Sequence, residues 1–262
     1  MRLFQPRVIS GAYIDSGTNL DELVRNISPS PLPRTEPAIS PVISSSYELV
    51  EGPTYGKGLA ELRRRIISNP SNYCQPSLDS QPVPLSLLET AVARIQHPEL
   101  LNQGLDTSTS VAYSKSGKFC IIPVSRELCN LQEDYNQRDL SIDYSKITTR
   151  FKLSRDDTYN RLLSYGEVLN HRGWLALFEN STSLKEYRDL VFNELARRQS
   201  KRIQEVQGMG VWLSDTPSKD MLRAVWLSNI DDNSLAYCYS NLSSSVRFLL
   251  SKPPSSAPRS PK

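Results

Sequence analysis

Two histidines, eleven glycines and four cysteines are few for 262 residues, and each scarcity removes a class of chemistry. Histidine-based catalysis has only His97 and His171 to draw on. A histidine in the last turn of a helix is stabilised by the helix dipole and needs no catalytic role. The cysteines (Cys74, Cys120, Cys129 and Cys238) form no C-x-x-C pair and have no histidine at zinc spacing, so no metal site is expected. They read as four reduced, buried thiols, which points to the cytoplasm, with the nucleus as the alternative. Glycine-rich phosphate loops are missing too. Residues 52–58 lack the Walker spacing, and Gly208 and Gly210 lack a third glycine at dinucleotide-binding spacing. No nucleophile elbow of the Gly-x-Ser-x-Gly type occurs. Of the paired acids, Asp156/Asp157 read as a helix's first turn and Asp231/Asp232 as a turn between strands, while Glu133/Asp134 lies in an acidic surface or loop stretch. No apolar run approaches the roughly 18 residues of a membrane span, and no secretory-type apolar stretch lies near the first residues. No cofactor, no catalytic residue and no membrane contact are therefore expected. An enzyme would have to assemble its site from dispersed residues.

Proline is plentiful at 18 residues and crowds toward both ends. Residues 28–41 are dominated by proline and serine, a composition that favours extended or unstructured chain. The organisation expected is an N-terminal arm with a Pro/Ser-rich linker over 1–56, a single domain over 57–250, and a disordered basic tail over 251–262.

The most legible helices lie at 153–207. Ser154 and Asp157 form one capping box, and Ser183 and Glu186 a second. Tyr159, Leu162, Leu163 and Leu169 follow the first at helical spacing, with Gly173 as its stop; Leu184, Tyr187, Val191 and Leu195 follow the second. A third box, Ser86 with Glu89, starts a helix through Ala91 and Ile95, and residues 58–68 read as another. Residues 109–124 read as a β-hairpin around Gly117. In the β-rich part over 209–250, the word Val-Trp-Leu-Ser occurs at 211–214 and again at 225–228. Leu235, Tyr237 and Tyr239 alternate, as do Val246, Phe248 and Leu250, and these two runs read as a second hairpin. The fold class expected is thus α+β, a helical middle segment flanked by β-hairpins.

The net charge of +3 is too small to imply a polyanion by itself, but the distribution is uneven. Arg63, Arg64 and Arg65 sit together on one predicted helix, and Arg197, Arg198, Lys201 and Arg202 end another. Four cations within six residues exceed what the dipole of a last helical turn asks for. Clustered charge of this kind is the footprint of a phosphate backbone. The function expected is a non-catalytic binding or assembly protein, a subunit of a nucleoprotein or viral-type complex. Its partners would be other protein subunits and nucleic acid (RNA or single-stranded DNA), held by these seven basic residues. A protein–protein adaptor without nucleic acid and an enzyme are the alternatives.

Overall fold

The computed structural model describes residues 46–253, which belong to one compact unit. The arm up to residue 45 and the tail from residue 254, with the expectations made for them, lie outside the described residues. The chain starts with β1 (Ser46–Gly52) and α1 (Tyr55–Ser68), then the small pair β2 (Ser77–Leu78) and β3 (Gln81–Pro82), and α2 (Leu87–Gln96). The long β4 (Leu105–Tyr113) turns into β5 (Lys118–Ile122). Then come α3 (Arg126–Cys129), β6 (Leu140–Ser141), β7 (Lys152–Ser154), β8 (Leu163–Ser164), α4 (Arg172–Leu177) and α5 (Ser183–Gln199). Strands β9 (Gln207–Gly208), β10 (Val211–Trp212), β11 (Met221–Leu227), β12 (Ala236–Ser240) and β13 (Val246–Lys252) follow.

The centre is a curled half-barrel sheet in the order β10-β12-β11-β4-β5-β7, with β6 added on β11. Only β10 and β12 run parallel; the other pairs are antiparallel. Successive residues of a strand point to opposite faces, and β11 shows which layer covers each. Met221 and Val225 join the larger core with Trp174, Phe178, Tyr187 and Phe192, built on α4 and α5. Leu222 and Ala224 join a second core with Tyr55, Leu62 and Phe248, built on α1 and the β1–β13 ribbon. That ribbon pairs Ser46 with Lys252 and Gly52 with Val246, so it takes in residues from both segments read as arm and tail.

Local chemistry fixes several of these elements. Ser86 caps α2 with a complete box: its Oγ accepts from Glu89 N at 3.2 Å, and Glu89 Oε2 accepts from Ser86 N at 2.7 Å. Gly117 takes a φ of +84° in the β4–β5 turn, where a side chain would strain the backbone. In β4 even the polar residues are buried, and its two threonines find acceptors there: Thr107 Oγ1 donates to Val225 O at 2.8 Å and Thr109 Oγ1 to Pro123 O at 2.6 Å.

The expected α+β arrangement, a helical middle flanked by hairpins, is corrected. The protein is mostly β, with five α-helices among the described residues. The helix expected after Ser154 does not form, and the Ser154/Asp157 box is absent. Asp156 Oδ1 accepts from Thr158 N at 2.9 Å, Asn160 adopts a φ of +60°, and its Oδ1 accepts from Leu213 N at 2.6 Å. Such side chains compete with helical backbone bonds, and here Asn160 ties the segment to the chain around β10. Tyr159 and Leu163 are buried all the same, so their apolar spacing reported burial and not helix. Gly173 sits inside α4, close against Tyr159 and His171, and stops nothing. The helix expected near Ser183 is α5, but its N-cap is Thr182, whose side chain accepts no capping bond; the Ser181 hydroxyl accepts from Ser183 N at 3.2 Å instead. The final hairpin is also re-paired: β12 lies between β10 and β11, while β13 pairs with β1.

Candidate binding face

Beyond the reach of α1 and the β1–β13 ribbon, the second face of the sheet carries a row of aromatic side chains. Tyr237 on β12 is in register with Trp212 on β10 and with Trp226 on β11. Its ring centroid lies 6.2 Å from Trp212, 5.1 Å from Trp226 and 5.5 Å from Tyr239, two residues along the same strand. Strand alternation explains the arrangement. Ala236 and Cys238 point into the larger core, which turns Tyr237 and Tyr239 outward. All four aromatic residues are half-buried.

Two glycines make room for the indoles. A Cβ on Gly104 would lie 2.5 Å from the Trp226 ring, and one on Gly210 would collide with the Trp212 ring and the Arg161 carbonyl. Among the described residues, none of the four polar ends (two indole N–H groups, two phenol O–H groups) has a hydrogen-bond partner. The contrast is Trp174, which is fully buried and donates its indole N–H to the Met209 carbonyl. Burial holds the Tyr237 and Tyr239 phenols above their ordinary pKa, so both stay protonated at neutral pH.

Asp106 continues the row, in register with Trp226 on the other side. It is buried and accepts from Arg247 N at 2.9 Å and from Ser240 Oγ at 3.3 Å. Desolvation pushes its pKa up to about 7, against the pull of those hydrogen bonds. Above it the Arg247 guanidinium bridges Glu51 Oε1 at 2.8 Å and Gln103 Oε1 at 2.9 Å. Among the described residues, no group of histidine, cysteine and carboxylate side chains is arranged to hold a metal ion.

The basic residues singled out in the sequence lie elsewhere. Arg63–Arg65 are on α1, which packs in the second core, whereas Arg197 and Arg198 are on α5, which packs in the first. The two clusters thus belong to opposite layers and are not brought together. Arg63 is half-buried, donating to the carbonyls of Pro82 at 3.2 Å and Cys129 at 2.5 Å. Arg64 pairs with Glu61 and Glu133, and Arg65 with Glu61 at 2.9 Å and Glu48 at 2.5 Å. Arg197 pairs with Glu194 at 2.6 Å; Arg198 pairs with Glu194 at 2.8 Å and Asp231 at 2.5 Å. Lys201 and Arg202 lie exposed beyond the end of α5, where Ser200 turns left-handed at a φ of +52°. Five of the seven cations are therefore already engaged within the chain. Beside α1 lies an open depression of about 600 Å³, lined by Arg63, Arg64, Ile67, Gln81 and Glu133. Ile67 is 73% exposed there.

No family model and no curated protein matches this chain. A solved structure does, one described as "Accommodation of massive sequence variation in Nanoarchaeota by the C-type lectin fold". It superposes with a TM-score of 0.53 at 12% identity, covering 80% of this chain and 99% of that one. The fold is C-type lectin-like. The expectation of a viral or nucleic-acid-binding protein finds no support in this mostly β, lectin-like fold. Among the described residues, no helix of the lectin-like domain is long and apolar enough to cross a membrane.

The sequence reading passed over Trp212, Trp226, Tyr237 and Tyr239 as site residues, although their signal was present. The repeated Val-Trp-Leu-Ser word places one indole on each flank of Tyr237, and the alternation of Tyr237 and Tyr239 puts both rings on one face. What the sequence lacked was the strand order that makes β10 and β11 the two neighbours of β12. His171, weighed as a catalytic candidate, instead caps α4. Its Nδ1 accepts from Trp174 N at 3.3 Å and its Nε2 donates to the Thr158 carbonyl at 3.3 Å.

Proposed function

We propose that this protein is a non-catalytic binding module that engages a protein partner through Trp212, Tyr237, Trp226 and Tyr239. The observation that carries this reading is the row of four half-exposed aromatic side chains whose polar ends have no partner among the described residues. Tryptophan and tyrosine combine a large apolar contact area with one polar handle, and they dominate the energetics of interfaces. A rigid sheet presents them at little cost in conformational entropy, because their backbone and their neighbours are already fixed. The neighbour's fold is described as accommodating massive sequence variation. A scaffold of that kind suits a module whose outward side chains carry recognition while the core carries the fold, although fold alone never assigns function.

Photo-cross-linking tests the proposal. A photoreactive residue at position 239, and in a second sample at Lys185 on α5, is activated in extract of the source cells. A discrete adduct at position 239 that is missing at 185, and that Trp226→Ala suppresses, is the expected result. Equal cross-linking at both positions, or an adduct indifferent to Trp226, contradicts the reading.

A further inference from the structure

The aromatic row selects its ligand by hydrogen-bond polarity as well as by shape. The two indoles can only donate, and the phenols, kept protonated, each have a proton to give. Apart from the two phenol oxygens the four aromatic side chains offer no acceptor, and the Asp106 carboxyl that continues the row is buried and already accepts from Arg247 N and Ser240 Oγ. A ligand rich in unsatisfied N–H groups would therefore bury most of them without acceptors, at real cost. A ligand that offers acceptors, lacks donors and presents compact apolar rings matches on all three counts.

We infer that the row of Trp212, Tyr237, Trp226 and Tyr239 binds a proline-rich segment of a partner protein in the polyproline II conformation. This rests on the reading of that row as the binding face. Proline has no backbone N–H, and in polyproline II the carbonyls have no internal partner and point outward. With a rise of 3.1 Å per residue, alternate residues are about 6.2 Å apart. The ring spacings of 5.1, 5.5 and 6.2 Å fall in the range that lets pyrrolidine rings sit against successive aromatic rings. Aromatic-lined surfaces take extended proline-rich chains in this manner because the ligand arrives already ordered. The indole N–H groups then reach the carbonyls between the rings. Proline recognition of this type needs neither a deep cavity nor an ion.

The test is a titration of the full-length protein with fluorescein-labelled decaproline, read by anisotropy. A proline-free Ser/Thr peptide of the same length serves as the comparison. Decaproline is expected to bind and the Ser/Thr peptide not to bind. Trp226→Phe keeps the ring and removes only the N–H, so it should weaken decaproline several-fold, up to about tenfold, with an unchanged melting temperature. Trp212→Phe should act likewise, and Arg64→Glu, exposed on α1 and outside the row, should change nothing. No binding of decaproline at millimolar concentration overturns the inference. Equal binding of both peptides with the same Trp226 dependence also overturns it, while leaving the binding face in place. Binding of decaproline that neither tryptophan variant changes overturns the inference and the binding face together.

Discussion

Replacing Arg94 with methionine tests how the helical layer is fastened to the sheet. Arg94 sits on α2, is fully inaccessible to solvent, and has only neutral partners. Its Nη1 donates to Tyr187 Oη at 2.8 Å and Ser234 Oγ at 3.2 Å; its Nη2 donates to Leu227 O at 3.2 Å and to the Gln103 carbonyl. One side chain thus joins α2, α5, the end of β11 and the loop before β12. Methionine keeps most of the volume and deletes every donor. Tyr187 and Ser234 would still hydrogen-bond each other at 2.7 Å, so the loss falls on the carbonyls. A buried acceptor left without a donor costs about 1–3 kcal/mol, and each lost bond from a charged donor is worth about 1.5–3 kcal/mol. Against this stands the relief of no longer burying a guanidinium whose Nε has no partner of its own. The net expectation is a destabilisation of about 3 kcal/mol, or a melting temperature lower by roughly 6–12 °C for a domain of this size. Thermal unfolding followed by circular dichroism measures it. A variant that melts within about 1 °C of wild type would show that the network does not hold the layers together.

Other predictions follow from the same contacts. Ser86→Ala breaks the capping box of α2 and should cost about 0.5–2 kcal/mol, while Ser183→Ala, inside the first turn of α5, should stay within about 0.5 kcal/mol; urea unfolding midpoints compare the two. Burial lowers the His171 pKa, so the folded state resists a proton that the unfolded chain accepts, and the stability His171 contributes declines as pH falls below about 6.5. His171→Asn keeps a cap for α4 and should remove that decline, which melting curves from pH 5 to 8 would show. Asp106 has the opposite sign: with its pKa raised to about 7, its contribution is full below about pH 4 and is lost as pH rises through about 7. Asp106→Asn should flatten that slope, and an unchanged slope would mean that the carboxyl is hydrated in solution.

What the sequence made legible was local. The Ser86/Glu89 box, the helix at 58–68 and the hairpin around Gly117 follow from capping and turn rules, and the structure contains all three. The long strand β4 was only half visible, because Asp106 and Thr107 are polar residues whose burial depends on distant partners, the Arg247 N–H for the one and the Val225 carbonyl for the other. The apparent helix after Ser154 failed for the same reason in reverse. Its apolar spacing fitted a helix, but Asp156 closes a local turn on the Thr158 N–H and Asn160 binds the distant Leu213 N–H. The basic clusters looked like a site because opposite charges brought near by folding, such as Glu48 to Arg65 and Asp231 to Arg198, are invisible in a linear text. The aromatic row was hidden by strand order alone.

The indole N–H groups test the central claim most directly. In a nitrogen-15 correlation spectrum the three tryptophans give three indole signals, assignable by single substitution to phenylalanine. Hydrogen exchange with solvent should be slow for Trp174, whose N–H is buried against the Met209 carbonyl, and fast for both Trp212 and Trp226. Slow exchange at all three positions would mean that the chain itself covers the aromatic row, and the row would then be core and not a binding face.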